Sequence, residues 1–347
     1  MQRNAKDLKS AYPPRDLTSF KQLETEIYLF LKANQLSVHQ TVYPFFFLLG
    51  SLIVVMSLWF LAFYRGLFVP AILYGFASCI VLFKTTHPAI HGGYSSQKYI
   101  RHCAAKYINL FFGISDMVWA KGHLQHHRMT NSLQDSDLSQ APILKFHSDN
   151  KYKIWYAYQP FYCWLLYAFY LPKAMVSNLY KLLFEPFSGR SKLVSLLLIA
   201  IHLFCCYILP IVWHGWLMGL ALILCVTVVQ SYTILGFFVV NHVVTKVETF
   251  SADNVPTDWL HHQLAATCNW STDSKWCNWL SGGLNHQIEH HLFPNFDESL
   301  YPRIAPVVRS YCQKNNIPYR ETTTYLEALK LHFAYLSKLR QPTHLEE

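Results

Sequence analysis

Four stretches of the chain run without a charged residue for about the 20 residues that a bilayer-spanning helix needs. They are Pro44 to Phe63, Gly66 to Phe83, Leu193 to Trp213 and Trp216 to Val240. Tyr64 and Arg65 alone separate the first pair, and His214 and Gly215 alone separate the second. The pattern predicts two helical hairpins, and uncharged runs of this length fit a soluble core poorly. A further apolar segment, Ile154 to Leu171, reads IWYAYQPFYCWLLYAFYL. Gln159 and Pro160 interrupt it, and Tyr and Trp favour the membrane boundary, so it is expected to lie in the interface plane. Near the N-terminus Phe20, Leu23, Ile27, Phe30 and Leu31 recur at helical spacing, and Ser19 with Gln22 fits a capping box. That helix is expected either on the membrane surface or against the protein's own cytoplasmic part.

The basic residues set an orientation. Of 29 Lys and Arg, 6 precede the first span, 1 separates the first two spans, 13 lie between the second and third, none between the third and fourth, and 9 follow the fourth. Four crossings put 28 of the 29 on one side, which the positive-inside tendency makes cytoplasmic. The net charge of +9 then reads as a topology signal and as attraction to anionic lipid, and calls for no nucleic acid partner. The regions 1–43, 84–192 and 241–347 become cytoplasmic. With no linker between them they are expected to fold together in a single domain, 1–347.

Composition agrees. Hydrophobic residues make up 52% of the 347 and charged residues 14%, against roughly a quarter charged in soluble domains. The fold class expected is an all-α integral membrane protein, four transmembrane helices in two hairpins with a helical cytoplasmic cap. The polar start MQRNAKDLKSAYPPRDL has no apolar core of a signal peptide. The nine cysteines include no C-x-x-C pair, which argues against a zinc ribbon or a thioredoxin-like site.

Histidine is the outstanding residue, with 18 against 20 Asp plus Glu. His87 and His91 stand in HPAIHGG, His123, His126 and His127 in HLQHH, and Gln287, His290 and His291 in QIEHH. Offsets of three and four place side chains on one helix face, so imidazoles one turn apart can meet one metal ion. A single zinc takes about four protein ligands, whereas seven His and a Gln suggest two ions. Imidazole suits Fe, Zn, Cu and Ni alike. Soluble di-iron bundles use Glu-x-x-His pairs, and none occurs here.

The stretches HPAIHGGYS, HLQHHRMTNSLQDSDL, and WLHHQLAATCNWS leading to GGLNHQIEHHLFP resemble the membrane fatty acid desaturases. The likeness spans roughly residues 40–320 and is closest to the front-end or linoleoyl-CoA desaturase-like branch, whose third box begins with Gln. It implies a di-iron centre on the cytoplasmic face that uses O2. It carries ligand roles onto His87, His91, His123, His126, His127, His290 and His291. The family's further ligand just after the last span falls on His242, beside Asn241. Gln287 stands where other branches have His, and binding iron, binding through water and orienting a neighbour all remain open for it. His286, about 100° off the ligand face, is expected to be a neighbour. Pro88 replaces the acidic residue common in the first box and predicts a kink or restart at His87. Asp135 and Asp137 then become candidates to fix an imidazole tautomer, or simply loop caps.

The expected activity is insertion of a cis double bond into an acyl chain carried by CoA, acyl carrier protein or a lipid, using O2 and two electrons. With 43 residues before the first span and no H-P-G-G haem motif, the electron donor is expected to be separate, a ferredoxin or a cytochrome b5 with its reductase. Lys121, Arg128, Arg303 and Arg309 could dock it. Trp259, Trp270, Trp276 and Trp279 are candidates to cover an acyl path or to anchor at the interface. Hydroxylases and ketolases with similar boxes are the alternative. A membrane metal-binding or transport protein fits less well, because no charged residue marks an intramembrane path. The expected location is a bacterial inner membrane or the endoplasmic reticulum.

Overall fold

The protein is described from a computed structural model covering residues 15–138, 143–187, 189–251 and 254–341. The polar start of the chain and His344 therefore lie outside the described residues. Helices that bear on the site are labelled in chain order. Helix α1, Thr18–Ala33, comes first. Helix α2, Tyr43–Trp59, has Pro44 in its first turn, where a missing N–H costs nothing, and runs on through a π-helical turn at Phe60–Tyr64. Helix α3, Phe68–Lys84, breaks at Thr85 (φ −123°, ψ −69°) and restarts as α4, Thr86–His91. Pro88 explains the break, since its ring excludes the carbonyl four residues back, at Lys84. Helix α5, Asp116–Arg128, follows.

Among the described residues three helices can cross a bilayer by length and composition: Tyr43–Tyr64, Phe68–His91 and Arg190–His242. The third contains both of the later apolar stretches. It joins α7, Arg190–Leu203, through a π-helical turn at Phe204–Ile208 to α8, Leu209–His242. Within it Gly215 is not helical (φ 76°, ψ 172°). Large apolar side chains point outward along these helices, among them Phe46, Ile53, Val69, Val212 and Leu217, the last 88% exposed. So much bare apolar surface suits lipid and not water. The inward faces pack together through Val55, Phe63, Tyr74, Phe83, Leu222 and Val226.

The segment 154–171 does not hold a span. It forms a 3₁₀ turn, Ile154–Tyr158, and the nine-residue helix α6, Gln159–Tyr167. Cys163 and Tyr167 are buried against Val239, Val240 and Leu336, while Ile154, Phe161 and Leu165 face outward. It therefore has one side packed on the protein and one apolar side exposed.

Helix α1 packs on the protein itself. Leu23, Ile27 and Leu31 are buried against Leu264, Leu292 and Val308. The capping box expected there does not form. Ser19 Oγ donates to Asp258 Oδ2 at 2.6 Å, and Gln22 Oε1 accepts from Tyr311 at 3.2 Å. Distant partners take both side chains, and Asp16 Oδ1 instead accepts from the Thr18 N–H at 2.8 Å. Helix α9, Trp259–Ala266, α10, Gln287–Leu292, and α11, Tyr301–Lys314, complete this layer. A two-residue parallel pairing of Asn269–Trp270 with Glu321–Thr322 ties it to the last helix, α12, Tyr325–Lys338.

Candidate metal centre

Four helices deliver the histidines. Helix α4 brings His87 and His91, and α5 brings His123, His126 and His127. The last turn of α8 brings His242, and α10 brings His290 and His291. Gly92 adopts the left-handed conformation (φ 84°) that ends α4 immediately after His91. All eight side chains are buried except that of His91, which is partly so.

The eight imidazoles fall into two adjoining groups. His87, His91, His123, His127 and His290 form one, and His126, His242 and His291 the other, each with ligand atoms within 4.8 Å of one another. The two groups touch where the rings of His127 and His291 stack at 4.1 Å. In the first, Nε2 of His123 lies 3.0 Å from Nε2 of His87 and 3.3 Å from that of His127, which lies 3.1 Å from Nε2 of His290. In the second, the Nε2 atoms of His126 and His242 are 3.3 Å apart. Nε2 of His91 and of His291 have no hydrogen-bond partner among the described residues. Converging lone pairs of this kind, away from water, suit a bound cation at the centre of each group.

The outer nitrogens are held by other partners. Asp135 accepts from His126 Nδ1 at 2.9 and 3.0 Å, and its carboxylate also caps the N–H groups of Asn131 and Asp137. The Ala266 carbonyl accepts from His242 Nδ1 at 3.1 Å, and Gln263 Oε1 from His291 Nδ1 at 2.8 Å. The Tyr301 hydroxyl lies 3.3 Å from His290 Nδ1. Each contact leaves Nε2 as the inward lone pair. Trp119 stacks on His123, with ring centroids 4.9 Å apart.

Electrostatics follow from burial. Desolvation pushes His123, His127, His290 and His291 well below the usual histidine range, with each other's charge adding to it. They are neutral, as ligands must be. His126 is the exception: burial lowers it, but the Asp135 and Asp137 carboxylates more than offset this and bring it to about 9.

The other residues singled out in the sequence are placed as follows. Asp137 stands 3.9 Å from His126 Nδ1, beyond hydrogen-bond reach. Gln287 Nε2 lies 2.8 Å from His242 Nε2, and Asn241 donates to Gln287 Oε1 at 3.0 Å. His286 is buried outside both groups, 3.7 Å from Glu289. His262 is a structural residue on the Thr130 carbonyl at 2.8 Å, and His261 is half exposed beside Asp258. Lys121 pairs with Glu185 and Arg309 with Glu321, while Arg128 and Arg303 are exposed. Trp270 is buried and donates to Asn241 Oδ1 at 2.7 Å. Gln263, Tyr301 and the Ala266 carbonyl were not foreseen, because no short-range spacing links them to the histidines they hold.

Comparison with known proteins adds an independent finding. Residues 64–323 match the fatty acid desaturase family. The sn-1 linoleoyl-lipid 6-desaturase of Synechocystis is 27% identical over 84% of this chain and 88% of its own length. The enzyme of the same name from Arthrospira platensis is 25% identical, over 77% of this chain and 76% of its own. Human fatty acid desaturase 3 is 31% identical over 82% of this chain and 65% of its own. The family match covers three quarters of the sequence and includes every histidine of both groups. The chain therefore belongs to the fatty acid desaturase family and is an oxidoreductase of fatty acyl chains.

Proposed function

We propose that the two histidine groups hold two iron ions, and that the protein uses them to insert a cis double bond into the acyl chain of a membrane lipid. The observation that carries this is the convergence of eight inward Nε2 atoms in two adjoining buried groups. His87, His91, His123, His127 and His290 would hold one ion and His126, His242 and His291 the other. Iron there would supply the activation of O2, which no side chain can provide. The reaction balances as O2, two electrons, two protons and a –CH2–CH2– unit giving –CH=CH– and two waters.

The chain's own residues do the positioning. Asp135, Gln263, Tyr301 and the Ala266 carbonyl fix four imidazoles by their Nδ1 atoms. Burial keeps water from the ligands, which protects a strong oxidant from side reactions. In this reading Gly215 is a turn, Arg190–His242 crosses twice, and four crossings place the histidine elements in the cytoplasm. A lipid-borne substrate is favoured because relatives are named for acyl-lipid substrates. The two electrons come from a separate ferredoxin or cytochrome b5, whose docking would use exposed basic residues such as Arg128 and Arg303.

The test is expression in a host with a defined fatty acid profile, followed by lipid mass spectrometry. New double bonds that disappear in His123→Ala and His291→Ala are expected. Hydroxylated chains in their place would contradict desaturation and point to a related oxygenation.

A further inference from the structure

The sequence leaves three roles open for Gln287, and hydrogen-bond polarity separates them. An indole nitrogen can only donate. Trp270 Nε1 donates to Asn241 Oδ1 at 2.7 Å, which leaves the Asn241 NH2 to point onward. That NH2 donates to Gln287 Oε1 at 3.0 Å. Gln287 must therefore turn its own NH2 toward His242 Nε2, 2.8 Å away. Trp270 and Asn241 are both buried, as is Gln287, so water cannot take over either end of the chain of bonds. Reversing the Gln287 amide would set its NH2 against that of Asn241 and its oxygen against the His242 Nε2 lone pair, with a buried unmade hydrogen bond of roughly 1–3 kcal/mol at each fault.

We propose that Gln287 is a hydrogen-bond donor and not a ligand, locked in that direction by Trp270 and Asn241, and that it serves a small oxygen or anion ligand from solvent at the three-histidine site. An amide nitrogen has no free lone pair for a metal, and its protons carry positive partial charge. They can face a cation only across an acceptor. The site is then asymmetric: five imidazoles on one side, and on the other three imidazoles with a donor beside them, 2.8 Å from the His242 Nε2 that the second ion would take. This rests on the two-ion reading above. It assigns Trp270 and Asn241 as positioning residues.

The experiment uses full-length protein in detergent, loaded with Co2+, with azide as the probe ligand. Ions per chain, the cobalt ligand-field spectrum and azide affinity are measured for wild type, Gln287→Leu, Gln287→His and Trp270→Phe. Fewer than two ions in wild type would fail the two-ion reading itself. Given two ions, Gln287→Leu is expected to keep both and to bind azide about tenfold or more weakly, the loss of one hydrogen bond to a charged group. Gln287→His should add a ligand, changing the spectrum and tightening the second ion. Trp270→Phe keeps Gln287 but frees both amides to reverse, and should shift the spectrum toward that of Gln287→His. Loss of the second ion in folded Gln287→Leu would overturn the proposal, as would azide affinity equal to wild type. An unchanged spectrum in Trp270→Phe would overturn the lock.

Discussion

At the scale of single residues, two neighbouring aspartates show how little separates a functional partner from a bystander. Asp135 is fully buried and accepts from His126, whereas Asp137 is exposed, lies beyond bonding distance and reaches His126 only through its charge. Both follow the second box, and spacing alone treats them as equals. Asp135→Asn is expected to lower iron affinity or activity by roughly 10- to 100-fold, the usual cost of losing such a partner. Asp137→Asn should stay within about twofold. Titrating both variants with metal would separate them, and equal losses would contradict the assignment. Acid acts in the same place: His126, held at about 9 without metal, must release a proton to bind, so metal affinity should rise with pH up to that point. The histidines of the two groups were legible because they cluster along the chain at helical spacing. Gln263, Tyr301 and Trp270 were not, because each meets its histidine or amide from a different element, through the tertiary fold.

At the scale of elements, the histidine helices are short and are held by close backbone contact. A Cβ on Gly93, just past the first box, would stand 2.6 Å from the Phe296 carbonyl oxygen just past the third. Gly93→Ala must push these segments apart and is expected to cost about 1–3 kcal/mol. Gly122, inside α5 beside His123, meets nothing nearer than Ser136 Oγ at 3.8 Å. Gly122→Ala should be neutral or stabilising by up to about 1 kcal/mol, from helix propensity. Thermal unfolding in detergent would compare the two, and equal stability would refute the close contact. The break before α4 was legible from Pro88. The false capping box at Ser19 shows the limit: the local motif was present, but Asp258 and Tyr311 offered its side chains better partners.

At the scale of the whole molecule, charge and apolar runs agree on a histidine layer set beside membrane helices. The sequence shows four apolar stretches, and the last two lie in one helical segment, Arg190–His242, that is broken at Gly215. Two crossings there predict opposite sides for Gly215 and for the chain just after His242. A fluorescent protein that matures only in the cytoplasm should stay dark when fused after Gly215 and glow when fused after Val247. Fluorescence from both fusions would remove the fourth crossing and the cytoplasmic placement that depends on it.

The central claim is that eight histidines from four helices build one two-ion centre. The most direct measurement is iron per chain in protein loaded and purified without oxygen. The expected count is two for wild type and one for His242→Ala, which removes one of the three imidazoles of the smaller group and none of the larger. One iron per wild-type chain, or two retained at unchanged affinity in His242→Ala, would contradict it.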